Sequence, residues 1–293
     1  TLELGGQSPT VVTARANVPT AAQRVALGKA FNAGQVCVAP NHCIVCDSVY
    51  DLFVQGVQDA WVTFFGADPK ESPYLARIVS RREWQRLHRI VEQERAAGTT
   101  VIQIGGPEDE ADLYFPPTML LGCDLTGHAM ADELFGPILP VFKVADGTEA
   151  ACAFIQSQPW CQADVNAKPL SLYLFSDDKG EQDYVLSHTS SGGVCINDTM
   201  IHVFSGDLAF GGVGQSGMGN YHMQASLDTF SHRKPVVARG GRNTPLDTLL
   251  RQPPHKLGGL TYRFPWLPTL TSRHILSGVG VVAAVAVVCK VVL

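Results

Sequence analysis

Segments with helical spacing alternate with short apolar segments along most of the chain. Asn17–Phe31 has a polar start, a proline in its first turn and apolar residues at helical spacing. Ser80–Ala97 is a charged helical segment that ends at a glycine, and the predicted strand Thr100–Ile104 follows it. Leu170–Phe175 and Gly193–Ile196 are predicted as buried strands with a helical stretch between them. This alternation predicts an α/β fold with a substantially parallel sheet.

Cys37 lies where a predicted helix gives way to strand. Val36–Ala39 and Cys43–Cys46 are predicted as short strands separated by a proline turn. The small residues Ala33 and Gly34 precede Cys37, and they allow backbone N–H groups to approach it as an oxyanion hole. A thiolate is a strong nucleophile, but a lone cysteine is more often a small core residue. The residues alone leave both interpretations open.

Two acidic residues stand in segments that suit a functional role. Glu3 lies in the apolar, glycine-rich run Thr1–Gly6, and a desolvated carboxylate there suits a general base. The plainer alternative is an ion-paired residue at a strand end. Glu133 precedes the turn Gly136-Pro137, which presents it at a surface. By itself Glu133 is equally well a solvated loop acid.

Composition and motif patterns exclude several classes of function. The chain has 293 residues, a formal net charge of -5 and 8 cysteines. This charge gives no general attraction to nucleic acid, and the cysteines are too sparse for a disulfide scaffold, so reduced thiols are expected. Cys43 and Cys46 form a CxxC pair without a second ligand pair, so no metal site is predicted and both are interpreted as packing residues. The glycine-rich stretch Phe210–Gly219 lacks the patterns of phosphate-binding loops, which favours a hinge or close-packed loop.

The end of the chain differs in composition from the rest. Ile275–Cys289 carries no charge and is followed by Lys290. As a helix, residues 275–293 would extend about 28 Å, and a membrane hydrocarbon core is about 30 Å thick. We expect a transmembrane anchor here, with a buried core helix as the alternative. The preceding segment 241–274, rich in glycine, proline and polar residues, is predicted as a linker.

Taken in order, several segments resemble the signature sequences of the aldehyde dehydrogenase superfamily. Leu2–Pro9 resembles its glutamate signature and Phe31–Cys37 its cysteine signature, with the family's separation of 34 residues between Glu3 and Cys37. Three further blocks agree, and they are Glu133–Pro137, Ser191–Asp198 and Phe210–His222. Asp228–Val236 and the apolar tail resemble the class 3 branch, which includes the microsomal fatty aldehyde dehydrogenases.

This resemblance implies a domain organisation. The chain is expected to be incomplete at its N-terminus and to lack most of the cofactor-binding domain. The implied parts are the end of that domain at 1–5, a Rossmann-like catalytic domain at 6–212, a return to the cofactor domain at 213–228, an oligomerisation strand at 229–240, the linker at 241–274 and the transmembrane anchor at 275–293. A homodimer is expected, because the oligomerisation strand would join a partner's sheet.

The resemblance also implies roles for single residues. Cys37 would attack the aldehyde carbonyl, a hydride would pass to NAD or NADP, and Glu3 would activate the water that hydrolyses the thioester. Glu133 would hold the nicotinamide ribose, and Phe135 would pack beside the nicotinamide. The backbone N–H of Cys37 would supply half of the oxyanion hole.

We therefore expect an oxidoreductase that acts on long, apolar aldehydes. We expect it to be anchored in a membrane, that of the endoplasmic reticulum, with its catalytic part facing the cytosol. This chain alone is expected to be inactive, because the cofactor-binding domain is mostly absent. Two alternatives stay open. One is a cysteine-dependent esterase or thioesterase, which needs no nicotinamide. The other is a non-catalytic, membrane-tethered interaction protein that keeps the fold.

Overall fold

The computed structural model describes residues 1–158, 168–238 and 240–241. Thr1–His232 forms one compact unit, and a second unit begins at Arg233. The strands of the described residues are β1 Leu2–Glu3, β2 Pro9–Val12, β3 His42–Cys46, β4 Thr100–Gln103, β5 Thr118–Leu121, β6 Ile138–Val144, β7 Ser171–Phe175, β8 Gly193–Ile196 and β9 Gly217–Met218. The helices are α1 Val18–Ala30, α2 Tyr50–Phe65, α3 Arg81–Ala96, α4 Thr148–Ser157, α5 Lys179–His188, α6 Ile201–Phe204 and α7 Met223–Phe230.

Seven strands form one sheet in the order β4-β5-β6-β3-β2-β7-β8. Every neighbouring pair in it is parallel except β4 and β5, which are antiparallel. β1 and β9 form a separate antiparallel ribbon. The predicted α/β fold with a parallel sheet is therefore confirmed.

Helices cover both faces of the sheet, as a largely parallel sheet requires. Val12 and Val45 pack toward α1 and α2, whereas Val11 and Ile44 pack toward α4 and α5. On the first face, the buried Trp61 of α2 donates a hydrogen bond from Nε1 to a backbone carbonyl of α1 at 3.0 Å. This bond satisfies the indole N–H inside the core.

Polar side chains fix where three helices begin. Asn17, Ser80 and Asp178 each precede a helix and accept a hydrogen bond from a backbone N–H of its first turn. The helices predicted over 17–31 and 80–97 are thereby confirmed to within one residue at each end.

One predicted strand is wrong. Val36–Ala39 forms no strand, because the N–H of Ala39 donates to the carbonyl of Val36 and closes a turn. The next residue, Pro40, has no N–H to donate to a sheet. β3 therefore begins only at His42.

The C-terminal predictions fall mostly outside the described residues. Among those that are described, no helix combines the length and the apolar character needed to cross a membrane. The predicted linker beyond residue 241 and the predicted anchor at 275–293 lie outside them. Within the described part of the chain, residues 231–238 are not assigned to any strand. The oligomerisation strand stays a prediction, since its hydrogen-bond partners would belong to a second subunit.

Lys29 is an unusual member of the core. It lies in the last turn of α1 and is 1% exposed. Burial lowers its pKa to about 7, and nearby Cys43 and Glu133 partly oppose this shift. At a pH where Lys29 is protonated, keeping its charge buried therefore costs stability.

Replacing Lys29 by methionine should remove a pH dependence of stability. The pKa of Lys29 falls from 10.5 to about 7 on folding, so the unfolded chain binds more protons between these values and stability rises with pH. This group contributes a rise of about 1.5 kcal/mol between pH 7 and pH 8.5. Lys29→Met should lose that rise and be more stable at pH 7. Urea unfolding at both pH values measures it.

The control is Lys179→Met, since Lys179 is exposed and pairs with Asp183 on the surface. That variant should keep the pH dependence of the unmodified chain. If Lys29→Met showed the same rise in stability between pH 7 and pH 8.5 as the unmodified chain, Lys29 would not be the source of the pH dependence.

Candidate active site

Glu3 lies on the short ribbon outside the main sheet. Its strand β1 pairs with β9, with Glu3 opposite Gly217. Gly217 has a φ of 149°, and a Cβ there would overlap with the carbonyl of Leu2. Leu2 and Leu4 are about half exposed, at 53% and 51%. The expectation that Glu3 lies in an apolar environment is therefore wrong for this chain. Its strand pairs with β9 on one side, and Glu3 is exposed to solvent.

Cys37 follows a tight loop that the sequence alone does not reveal. Asn32, Ala33 and Gly34 have successive positive φ values of 49°, 53° and 72°. The side chains of Asn32 and Gln35 hold this loop by donating to each other's backbone carbonyls at 3.2 and 3.0 Å. Gln35 also accepts a bond from the N–H of Val79 at 2.8 Å. The loop is thus anchored on both sides of the turn that leads to Cys37.

The structure brings Cys37 and Glu3 into contact. The Sγ of Cys37 donates a hydrogen bond to Oε1 of Glu3 at 3.3 Å. Burial, this hydrogen bond and the negative charges of Glu3 and Glu133 raise the pKa of Cys37 to about 12. The resting thiol is therefore protonated, and Glu3 is the nearest acceptor for its proton. The backbone N–H of Cys37 interacts with its own sulfur and partly opposes the shift.

Glu133 reaches the same place from another part of the chain. Its carboxylate accepts a hydrogen bond from the N–H of Gly6. A Cβ on Gly6 would overlap both with the carbonyl oxygen of Cys37 and with Oε1 of Glu133. Burial raises the pKa of Glu133, while the Gly6 N–H and the charge of Lys29 oppose this. A half-buried carboxylate with hydrogen-bond capacity to spare fits a role in binding sugar hydroxyls.

Phe135 lies two residues further along the same turn. It has a φ of 49° and is 41% exposed. A partly exposed ring beside Glu133 fits contact with a flat ligand. The structure thus places Glu3, Cys37 and Glu133 together and leaves Phe135 on the adjoining surface.

Tyr221 is a residue of the site that sequence reasoning missed. Its hydroxyl donates to Oε2 of Glu3 at 2.6 Å, across 218 residues of sequence. The only signal for it in the sequence was its place in the block Phe210–His222, which carries the family resemblance without stating a contact.

The other motifs have structural roles. In the stretch Phe210–Gly219, a Cβ on Gly211 or Gly212 would overlap with the backbone of Gly219 or Ser216, so this is a close-packed loop as expected. Cys43 and Cys46 are buried free cysteines, and no group of three potential metal ligands occurs among the residues described.

Comparison with known proteins agrees with this geometry. The family model described as "Aldehyde dehydrogenase family" matches residues 1–236. Aldehyde dehydrogenase family 3 member B1 from Bos taurus is 41% identical over 257 residues, which cover 87% of this chain and 51% of that protein. 4,4'-Diaponeurosporen-aldehyde dehydrogenase from Staphylococcus aureus is 39% identical, covering 87% of this chain and 52% of that protein.

A solved structure is similar as well. The substrate-bound state of Staphylococcus aureus AldH has a TM-score of 0.74 and 36% identity, and the match covers 89% of this chain and 53% of that one. The chain spans about half the length of the curated relatives it matches. With the family match across residues 1–236 and the contact between Glu3 and Cys37, this chain belongs to the aldehyde dehydrogenase family.

Proposed function

We propose that this chain carries the reaction centre of an enzyme that oxidises apolar aldehydes to carboxylic acids with NAD or NADP. Cys37 is the nucleophile and Glu3 is the general base. The observation that carries the proposal is the 3.3 Å contact between Sγ of Cys37 and Oε1 of Glu3. A nucleophile within hydrogen-bond reach of a base is the arrangement that covalent catalysis requires.

The first half of the reaction uses the Cys37–Glu3 contact. Glu3 takes the thiol proton, and the Cys37 sulfur forms a bond to the aldehyde carbon, which gives a thiohemiacetal. The backbone N–H of Cys37 stabilises the negative charge on the former carbonyl oxygen. A bound NAD or NADP supplies the acceptor for the hydride that leaves the aldehyde carbon.

The second half of the reaction uses Glu3 again. Glu3 first releases to solvent the proton that it took from Cys37. Its carboxylate then accepts a proton from water while the water oxygen attacks the Cys37 thioester, and it passes this proton to the sulfur as the thiol leaves. The carbon–sulfur bond breaks, which releases the carboxylic acid and returns the thiol.

Two residues would hold the cofactor. Glu133 would accept hydrogen bonds from ribose hydroxyls, and its position beside Gly6 sets it next to the backbone of Cys37. Phe135 would place its ring against the nicotinamide. These roles rest on the family resemblance and on the half-buried carboxylate and exposed ring described above.

An apolar surface beside the Cys37 loop supports an apolar substrate. Phe31 and Phe204 are 50% and 69% exposed, and their ring centroids are 6.3 Å apart in an edge-to-face arrangement. Leu27 of α1 and Ile201 of α6 are also more than half exposed. Exposed apolar side chains grouped in this way are typical of ligand-binding surfaces.

The location and assembly of the protein extend the proposal. The apolar segment 275–293 would anchor the protein in a membrane, with the endoplasmic reticulum expected and the catalytic part facing the cytosol. This location would bring the enzyme to aldehydes that partition into lipid. Residues 229–240 would pair with the sheet of a second subunit in a homodimer.

A cysteine-dependent esterase or thioesterase is the second candidate, and a specific observation favours it. The Cys37–Glu3 contact is complete within this chain and needs no nicotinamide. A non-catalytic scaffold that keeps the fold would need neither residue.

NAD(P)H formation from a long-chain aldehyde should depend on Cys37. Because the chain spans about half of its relatives, the assay uses the protein extended at its N-terminus to their length. Cys37→Ala should lower the rate by at least about 1,000-fold, because no other group forms the thioester. Cys152→Ala, which removes a buried cysteine of α4, should keep the activity. Ester hydrolysis without any NAD(P)H formation would favour the esterase or thioesterase. If the protein showed neither activity, the non-catalytic scaffold would be favoured.

Removing the charge of Glu3 should make the thiol of Cys37 more reactive. Besides burial, the hydrogen bond and charge of Glu3 hold the pKa of Cys37 near 12. Glu3→Gln removes the charge, so the pKa falls and the thiolate fraction at pH 8 rises about tenfold. The rate of Cys37 alkylation by iodoacetamide, followed by mass spectrometry, measures this.

Glu92→Gln is the control, since Glu92 pairs with Arg95 on the exposed side of α3. Its alkylation rate should match that of the unmodified chain. If Glu3→Gln leaves the rate unchanged, the thiol and the carboxylate are not coupled in solution. A lowered rate would contradict the predicted fall in pKa and would show that Glu3 promotes alkylation as a base.

A further inference from the structure

The carboxylate of Glu3 has a different partner on each oxygen. Oε1 accepts the thiol hydrogen of Cys37 at 3.3 Å, and Oε2 accepts the hydroxyl hydrogen of Tyr221 at 2.6 Å. Glu3 is otherwise exposed on a strand of two residues. A short ribbon does not fix the side chain of an exposed glutamate, so these two hydrogen bonds set its orientation.

Buried groups hold Tyr221 in place. Its backbone exchanges two hydrogen bonds with Phe210, at 2.9 and 3.0 Å, and the two rings meet at 90° with centroids 5.7 Å apart. Phe210 is 3% exposed and also contacts the ring of His202. His202 is fixed in turn by Ser171 on Nε2 at 2.9 Å and by Cys195 on Nδ1 at 3.0 Å. The tyrosine is therefore attached to the core although its hydroxyl lies at the site.

We propose that Tyr221 is the positioning residue for the general base: its hydroxyl turns the Glu3 carboxylate so that one oxygen faces Cys37. This inference rests on the proposed roles of Glu3 and Cys37. The hydrogen bond to Glu3, together with burial and the charge of Glu3, raises the pKa of Tyr221 to about 12. The hydroxyl therefore stays a donor over the whole range in which an enzyme works.

The two halves of the reaction depend on Tyr221 to different degrees. Before the reaction, the thiol of Cys37 and the hydroxyl of Tyr221 both hold the carboxylate. Once the sulfur is acylated, it has no hydrogen to donate, and the hydroxyl is the remaining one of these two partners. Deacylation should therefore suffer more from the loss of the hydroxyl than acylation does.

The test separates acylation from deacylation without any nicotinamide. p-Nitrophenyl acetate acetylates Cys37, and mass spectrometry follows the formation and decay of the acetyl group. Tyr221→Phe keeps the ring and should slow the decay about tenfold, as expected for loss of a hydrogen bond to a charged group. Acetylation should change by less than about threefold. Tyr74→Phe is the control, because Tyr74 is 80% exposed and its hydroxyl makes no described hydrogen bond.

A double variant shows whether Tyr221 acts through Glu3. With Glu3→Gln in place, the added Tyr221→Phe change should not slow the decay further. An unchanged decay in Tyr221→Phe, or an equal slowing in the Glu3→Gln background, would overturn the proposal.

Alkylation of Cys37 by iodoacetamide gives a second readout, since it requires only a thiol. Without the hydroxyl, the charge of Glu3 is less offset, so the pH midpoint of alkylation should move upward in Tyr221→Phe. Adding Tyr221→Phe to Glu3→Gln should leave the midpoint where it is in Glu3→Gln alone. An unmoved midpoint in Tyr221→Phe also overturns the proposal. A different outcome separates the two proposals. If Cys37 is never acetylated but its alkylation midpoint moves as expected, the result counts against Cys37 as the nucleophile. The positioning role of Tyr221 would still be supported.

Discussion

Close contact among three loops at two glycine positions is the constraint on which the site depends. Gly6 lies against the carbonyl of Cys37 and the carboxylate of Glu133, and Gly34 lies against the carbonyl of Gly136. At neither position is there room for a Cβ. Because the backbones touch directly, Cys37 and Glu133 lie close together although they come from distant parts of the chain. A side chain on either glycine would push these loops apart and leave the fold largely intact.

The parallel sheet explains why residues so far apart in sequence meet. Glu3, Cys37 and Glu133 each precede, by five or six residues, a strand of the sheet: β2, β3 and β6. These three strands are adjacent and parallel, so their amino ends lie at one edge. The sheet register therefore carries three separate loops to the same place. Strand order brings these loops to one end of the sheet, and the contacts at Gly6 and Gly34 let them approach closely enough to form the site.

The electrostatics of the site hold it in a protonated resting state. Burial and neighbouring carboxylates disfavour the thiolate of Cys37, and the hydrogen bond from its thiol to Glu3 links the two groups. Tyr221 occupies the other carboxylate oxygen. Such an arrangement keeps the thiol of Cys37 protonated, which is the less nucleophilic of its two forms. The buried Lys29 partly compensates the charge of Glu133 from behind.

The sequence by itself determined the alternation of helices and strands and the helix starts at capping residues such as Asn17, because these depend on local spacing. Signature order also indicated Glu3 and Cys37 as the pair for which reacting roles are proposed. The sequence predicted a strand at Val36–Ala39 wrongly, since the turn there is closed by a hydrogen bond that apolar residue types do not signal. Only the tertiary structure decided the left-handed loop before Cys37, the exposed setting of Glu3 and the contact with Tyr221. The physical reason is that these features arise from pairing between segments far apart in the chain, and no local periodicity encodes such pairing.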